Sequence, residues 1–270
     1  ARLFQDMPKK NKAMSVFGND EYGKRLIASC PAAQPFYLHQ KGRADCSCVC
    51  TDSPVMHGQL KANSPAGLII EHCYNGMKWE LKTPLVGEHN ACNILGVECL
   101  ALQLGFSVDD LQKLSGFEGV PGRLERIYDS KKDVSYFVDY AHTPDALIHA
   151  QDALRKAGFK RIITVFGCGG DRDKTKRPLM GKAVAEASDI VILTSDNPRT
   201  EDPEQILDDI MPGLAAAKEV RRIANRKEAL QCAAKISQNG DAVLIAGKGH
   251  ETYQIIGKTK YHFSDQEIIR

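Results

Sequence analysis

From Ser135 onward the chain alternates short apolar runs with longer stretches in which apolar residues recur every three or four positions. SYFVDY, RIITVFG, DIVILTS and DAVLIAG have the length and β-branched content of buried strands. PDALIHAQDALRKAG, RPLMGKAVAEAS, PEQILDDIMPGLAAA and RKEALQCAAKIS carry the helical period. Strands that alternate with helices need crossover connections, so the pattern predicts an α/β domain with a mostly parallel, Rossmann-like sheet covered on both faces. Its start is placed at residue 116, in the glycine- and proline-bearing stretch GFEGVPGR, and it runs to residue 270. One helix start is well marked: Asp202 caps, Pro203 sits in the first turn and Gln205 completes a capping box, while Pro212 ends or kinks that helix.

Residues 1–115 are less regular. The β-like runs AMSVF, PFYLHQ, ADCSCVC, GLIIEHC and MKWELK predict a mixed or antiparallel sheet, followed by a helical stretch, HNACNILGVECLALQLG, and a short helix, SVDDLQKLSG, closed by glycine. With 270 residues, 43% of them apolar, and a net charge of +2, the chain has material for two cored domains. No apolar run approaches the roughly 18 residues of a membrane span, and ARLFQDMPKKNK lacks the apolar stretch of a signal peptide, so a cytoplasmic protein is expected. Nine cysteines are mostly scattered and read as free buried thiols. Cys46, Cys48 and Cys50 are spaced too closely for zinc pairs and have strand period, so they read as one face of a half-buried strand and no metal site is assigned.

Polar residues collect where the strands of the regular domain end. DYAHTPD follows SYFV, GCGGDRDKTKR follows RIITVF, TSDNPR follows DIVIL, and AGKGHE follows DAVLI. Four strands thus deliver Asp139 and His142, Arg172 and Lys174, Asp196 and Arg199, then Lys248, His250 and Glu251 to one sheet edge, where parallel sheets bind ligands. Gly167, Gly169 and Gly170 with the cations after them suit a phosphate or carboxylate. The dinucleotide fingerprint fails, because Arg172 stands where its third glycine belongs, and the chain contains no G-x-x-x-x-G-K-[ST]. In TSDNPRTEDP, Asn197 and Pro198 are turn chemistry, but Asp196 and Arg199 hold opposite charges on a stiffened loop beyond what a turn needs.

The stretches GEHNACNIL, GRLERI, VDYAHTPDAL, FGCGGDRDKTKRPLMG, TSDNPRTEDP and AGKGHETYQI stand in the order and spacing of the Mur ligases, which the chain resembles from about Val86 to Asp265 and more weakly before. The resemblance is to the diaminopimelate-adding members and implies three domains in the whole protein. Residues 1–115 then correspond to the remnant of a central α/β ATPase domain and residues 116–270 to the Rossmann-like domain that binds the incoming amino acid. The chain would start after the P-loop and after the carbamoylated lysine that holds Mg2+, so it is expected to be a fragment, inactive alone, with no catalytic residue assigned. The implied reaction belongs to peptidoglycan precursor synthesis in the bacterial cytoplasm. ATP phosphorylates the D-glutamate carboxylate of UDP-N-acetylmuramoyl-L-alanyl-D-glutamate, and an amine of meso-diaminopimelate displaces the phosphate. By the resemblance Asn93, Arg123, Asp139 and His142 contact ATP, and Arg172, Asp196, Asn197, Pro198, Arg199, Gly247 and Glu251 bind diaminopimelate. Arg199 would grip its far carboxylate, with Glu251 or Asp196 pairing the far ammonium. A monomer with no nucleic-acid or membrane partner is implied.

Two other readings stand beside this one. KTKR and RRIANRK raise a nucleic-acid or anion-binding module, against which stand the small net charge and the absence of interleaved aromatics; solvated helix faces use such charges. Another amide ligase, of Mur or folylpolyglutamate type, would share the scaffold, but DNPR and GKGHE speak against it.

Overall fold

The computed structural model describes residues 13–30, 32–40 and 55–270, which divide into two compact units at Phe117/Glu118. The cysteine-bearing stretch ADCSCVC lies outside the described residues.

In the first unit, β1 (Ser15–Phe17), α1 (Glu21–Ser29), β2 (Gln34–Gln40), β3 (Met56–Ser64), β4 (Gly67–Tyr74) and β5 (Met77–Thr83) precede α2 (Glu88–Gln103). The sheet runs β1-β2-β3-β4-β5; the first three strands are mutually parallel and the last two antiparallel. Helix α2 buries Ala91, Ile94, Leu95, Glu98 and Cys99, a stripe at three- and four-residue spacing, against β2 and β3. Met56, Ile70, Leu81 and Leu95 lie at the centre of this core. Strand β3 escapes the sequence reading because Gly58 stands at a buried position of its alternation; a Cβ there would come within 2.6 Å of Leu95. The expected short helix is one α-turn, α3 (Val108–Leu111), with a Ser107–Asp110 capping box, continuing as a 3-10 turn to Gly116. Cys30, Cys92, Cys99, Cys168 and Cys232 are free thiols, whereas Cys73 is disulfide-bonded, contrary to the general expectation of free thiols.

The second unit holds β6 (Glu125–Asp129), β7 (Val134–Asp139), α4 (Pro144–Lys156), β8 (Ile162–Phe166), α5 (Lys176–Ala187), β9 (Ile190–Leu193) and α6 (Pro203–Ile210). These are followed by β10 (Val220–Arg222), α7 (Arg226–Ile236), β11 (Ala242–Ala246), a β12 (Tyr253–Ile256)–β13 (Thr259–His262) hairpin and α8 (Asp265–Ile269). The sheet order is β10-β9-β8-β11-β7-β6, parallel throughout except for β6, so the Rossmann-like expectation is met. Its central strands are buried on both faces, which is why they read as unbroken apolar runs. Asp202 caps α6 through Glu204 N (3.0 Å), but Gln205 turns to Asp209 (3.1 Å) and makes no capping box; Pro212 follows the helix end as expected. Most cations of the two basic runs are solvated, Lys174, Lys176, Arg222 and Lys227 being exposed, but one arginine of each turns inward. Arg177 is buried between Glu201 and Asp209, and Arg226 is buried in a two-pronged pair with Asp265 (2.8 and 2.7 Å).

Candidate functional site

Strands β7, β8, β9 and β11 end level with one another: Asp139 pairs with Ala246, Val165 with Ile245 and Phe166 with Leu193. The four loops leaving these ends enclose a cavity of about 370 Å³. His142, Arg172, Asp196, Asn197, Arg199, Gly247 and Glu251 line it, so one site gathers seven of the residues singled out in the sequence.

The glycine-bearing loop owes its glycines to packing against the next loop. A Cβ at Gly167 would lie 2.0 Å from the Thr194 carbonyl and one at Gly170 1.9 Å from that of Pro198, so these two bring loops together and do not open space for an anion. Gly169 is the one that faces Arg199, whose Nη1 would be 2.8 Å from a Cβ there. The two loops are then stapled by side chains. Thr200 Oγ1 donates to Asp171 (2.7 Å), the Asp171 N–H donates to Glu201 (2.6 Å), and Arg177 and Lys174 both pair with Glu201. Pro198 contributes its carbonyl, which accepts from Glu201 N (3.1 Å), and lies outside the cavity lining.

Arg199 sits at φ 53°, with its N–H on Ile255 O (3.0 Å) and its carbonyl accepting from Gly257 N (2.7 Å), so its backbone is locked to β12. Its guanidinium donates only from Nη1, to the carbonyls of Gly170 (2.7 Å) and Asn197 (3.5 Å). No carboxylate of the described residues pairs with it. The Nε/Nη2 edge has the geometry of the fork that binds carboxylates in two-pronged fashion. Arg172 is exposed and donates to the Asp171 carbonyl (3.2 Å).

The acidic wall is built differently. Asp196 is 8% exposed; burial pushes its carboxyl up, against the pull of Arg226 and Lys248. Asn197 accepts at Oδ1 from Ile255 N (2.9 Å) and Lys248 Nζ (3.0 Å) and donates from Nδ2 to Glu251 Oε2 (2.9 Å). Gly247 turns at φ 110° behind Asp196. Cys168 also lines the cavity, but burial holds its thiol up at about 12, so it is no nucleophile at neutral pH.

The residues singled out for a nucleotide fall in both units, Asn93 in the first and Arg123, Asp139 and His142 in the second. Asp139 organises its surroundings: Oδ2 accepts from Leu124 N (2.7 Å) and Oδ1 from Ala141 N (2.8 Å). Arg123 is exposed above the Tyr140 ring (5.3 Å), and Tyr140 packs edge-on against His142 (4.7 Å). Asn93 is exposed on α2 of the first unit. The sequence places Lys248 at this sheet edge but assigns it no role, and the β12–β13 hairpin gives no signal there.

Known proteins are similar to the chain in sequence and in fold. The family described as Mur ligase, glutamate ligase domain, matches residues 122–249. Over all 270 residues the chain is 50% identical to the UDP-N-acetylmuramoyl-L-alanyl-D-glutamate–2,6-diaminopimelate ligase of Lawsonia intracellularis, covering 100% of this chain and 54% of that one. The chain belongs to the Mur ligase family. The enzyme of the same description from Synechococcus elongatus is 44% identical and likewise matches the whole of this Mur ligase chain, with 52% of its own length covered. A solved structure of such a ligase superposes with a TM-score of 0.70 at 35% identity, over 99% of this chain and 54% of that one. The chain spans about half the length of the curated relatives it matches. A folylpolyglutamate synthase from Thermotoga maritima, at 16% identity and a TM-score of 0.61, shares the Mur ligase fold and nothing more specific.

Proposed function

We propose that this Mur ligase chain holds the amino-acid site of an ATP-dependent amide ligase that joins meso-diaminopimelate to UDP-N-acetylmuramoyl-L-alanyl-D-glutamate in peptidoglycan precursor synthesis. The observation that carries the reading is the partnerless guanidinium edge of Arg199, fixed in the same cavity as Glu251 and Asn197. The far end of diaminopimelate is a zwitterion, and only a site offering both a cationic fork and a carboxylate matches it; lysine lacks the carboxylate. Arg172 supplies a second cation, and the locked loops pre-orient the amine that attacks. The relatives' printed names, which specify diaminopimelate, support the same substrate.

ATP would convert the acceptor carboxylate into an acyl phosphate, which an amine can attack. Asp139 accepts from the backbone N–H groups of Leu124 and Ala141 and is the residue assigned to a ribose hydroxyl, exposed Arg123 would meet phosphate, and His142 and Asn93 would offer further polar contacts. Among the described residues no group of three or more His, Cys, Asp or Glu is placed to hold a metal.

The test is specificity. A complete enzyme of this kind rejects lysine by about four orders of magnitude in kcat/KM, because a buried charged group is otherwise left unpaired. Arg199→Ala is expected to lower diaminopimelate efficiency strongly and to narrow that preference. An unchanged diaminopimelate-to-lysine ratio would sink the reading.

A further inference from the structure

Lys248 lies behind the cavity wall, 0% exposed, and the reading above leaves it without a role. Its Nζ donates to Asn197 Oδ1 (3.0 Å) and Glu251 Oε2 (3.4 Å), with the rings of Tyr253 and Phe263 at 5.7 and 6.0 Å. Burial pulls the ammonium pKa down while the Asp196 carboxylate opposes that pull. A methionine would fill the same space without losing hydration, so a cation here has to be explained by what it holds.

It holds two orientations. A free asparagine can turn its amide over and exchange donor for acceptor. In Asn197 the acceptor already takes both Ile255 N and Lys248 Nζ, and a flip would set Nδ2 against two donors. The amide is therefore committed with Nδ2 toward Glu251. On Glu251, Lys248 and Asn197 both take Oε2, which leaves Oε1 with only the Tyr253 hydroxyl at 3.4 Å. Arg199 is anchored elsewhere, on the carbonyls of Gly170 and Asn197.

We propose that Lys248 is the positioning residue of the ammonium-reading half of the cavity: by holding Asn197 Oδ1 and Glu251 Oε2 it presents Glu251 Oε1 to the ligand's far amino group, while Arg199 reads the carboxylate without its help. The inference rests on the diaminopimelate reading of the cavity.

Three ligands separate the two halves: meso-diaminopimelate, lysine, which lacks the far carboxylate, and 2-aminopimelate, which lacks the far amine. Calorimetry on this chain and on Lys248→Met should show diaminopimelate affinity falling by about tenfold or more in the variant while 2-aminopimelate affinity barely moves. The preference for diaminopimelate over 2-aminopimelate then collapses, the preference over lysine stays, and Lys248→Arg restores part of the lost discrimination. Loss in equal proportion for all three ligands would mean that Lys248 only supports the fold, and would overturn the inference. A native chain that binds none of the three would instead sink the diaminopimelate reading itself. Should the Met variant melt below the assay temperature, the native protein answers the question by NMR. The buried Lys248 ammonium resonance must shift on adding diaminopimelate and stay in place with 2-aminopimelate; no shift with diaminopimelate overturns the proposal.

Discussion

At Gly247 the backbone passes at φ 110° directly behind the Asp196 carboxylate, and a Cβ would come within 2.6 Å of Asp196 Oδ2. Gly257 also has positive φ (61°), but nothing lies within 4 Å of its missing side chain. Gly257 lies in the left-handed well that an L residue can enter at modest cost, whereas Gly247 lies outside it and also meets the clash. Gly257→Ala should cost on the order of 1 kcal/mol from φ alone, and Gly247→Ala about 2–3 kcal/mol, with weaker diaminopimelate binding as Asp196 is displaced. Thermal melts and calorimetry on the two variants check this; equal effects would show that Asp196 yields freely. Neither glycine announces this difference in the sequence, because it depends on a carboxylate 51 positions earlier. The role of Lys248 is hidden for the same reason: its partner Asn197 is far away along the chain and joins it only when β9 and β11 belong to one sheet.

The elements themselves were more legible than their junctions. Strands β7, β8, β9 and β11 are buried on both faces and so show as apolar runs, and the helices between them show because each has one apolar stripe. Strand β10, three residues with two arginines, and the exposed β13 have no such signature, and their existence depends on neighbours. The loop staple at Glu201 is equally silent in sequence and has a measurable consequence. Arg177, helped by the Asp171 N–H and Lys174, pulls Glu201 from its ordinary 4.5 down to about 2. Burial alone would raise Asp189, yet Lys218, the Ile162 N–H and Arg155 carry it from 3.8 to about 2. Both carboxylates stay charged in the folded chain at pH values where the unfolded chain has protonated them. The stability they contribute is complete above about pH 4.5 and is lost as the pH falls toward 2. Melting temperature followed from pH 7 to pH 2 should fall most steeply in that window, and Glu201→Gln should flatten the fall while lowering the plateau at neutral pH. A slope identical to that of the unsubstituted protein would disprove the linkage.

At the scale of the whole molecule, a net charge of +2 and two basic runs invite the question of nucleic acid. Arg177 and Arg226 bear on it, since each run turns one arginine inward, Arg177 to Glu201 and Asp209 and Arg226 to Asp265, and leaves Lys174, Lys176, Arg222 and Lys227 dispersed on the surface. Duplex DNA should show no salt-dependent binding by fluorescence anisotropy at about 0.15 M salt, and a steep salt slope would contradict that expectation. The sheet order β10-β9-β8-β11-β7-β6 carries a further consequence, for biosynthesis. Strand β11 is the last of the six in the chain and yet lies in the interior of the sheet, with β8 on one side and β7 on the other. Until the ribosome has released about residue 246, the nascent unit is two separate ribbons with a slot between them, each presenting an unpaired apolar edge of the kind that recruits other chains. Closing the slot with β11 brings Gly247, Lys248 and Glu251 into place in the same step, so the proposed ligand site comes into being only when the risk of aggregation ends.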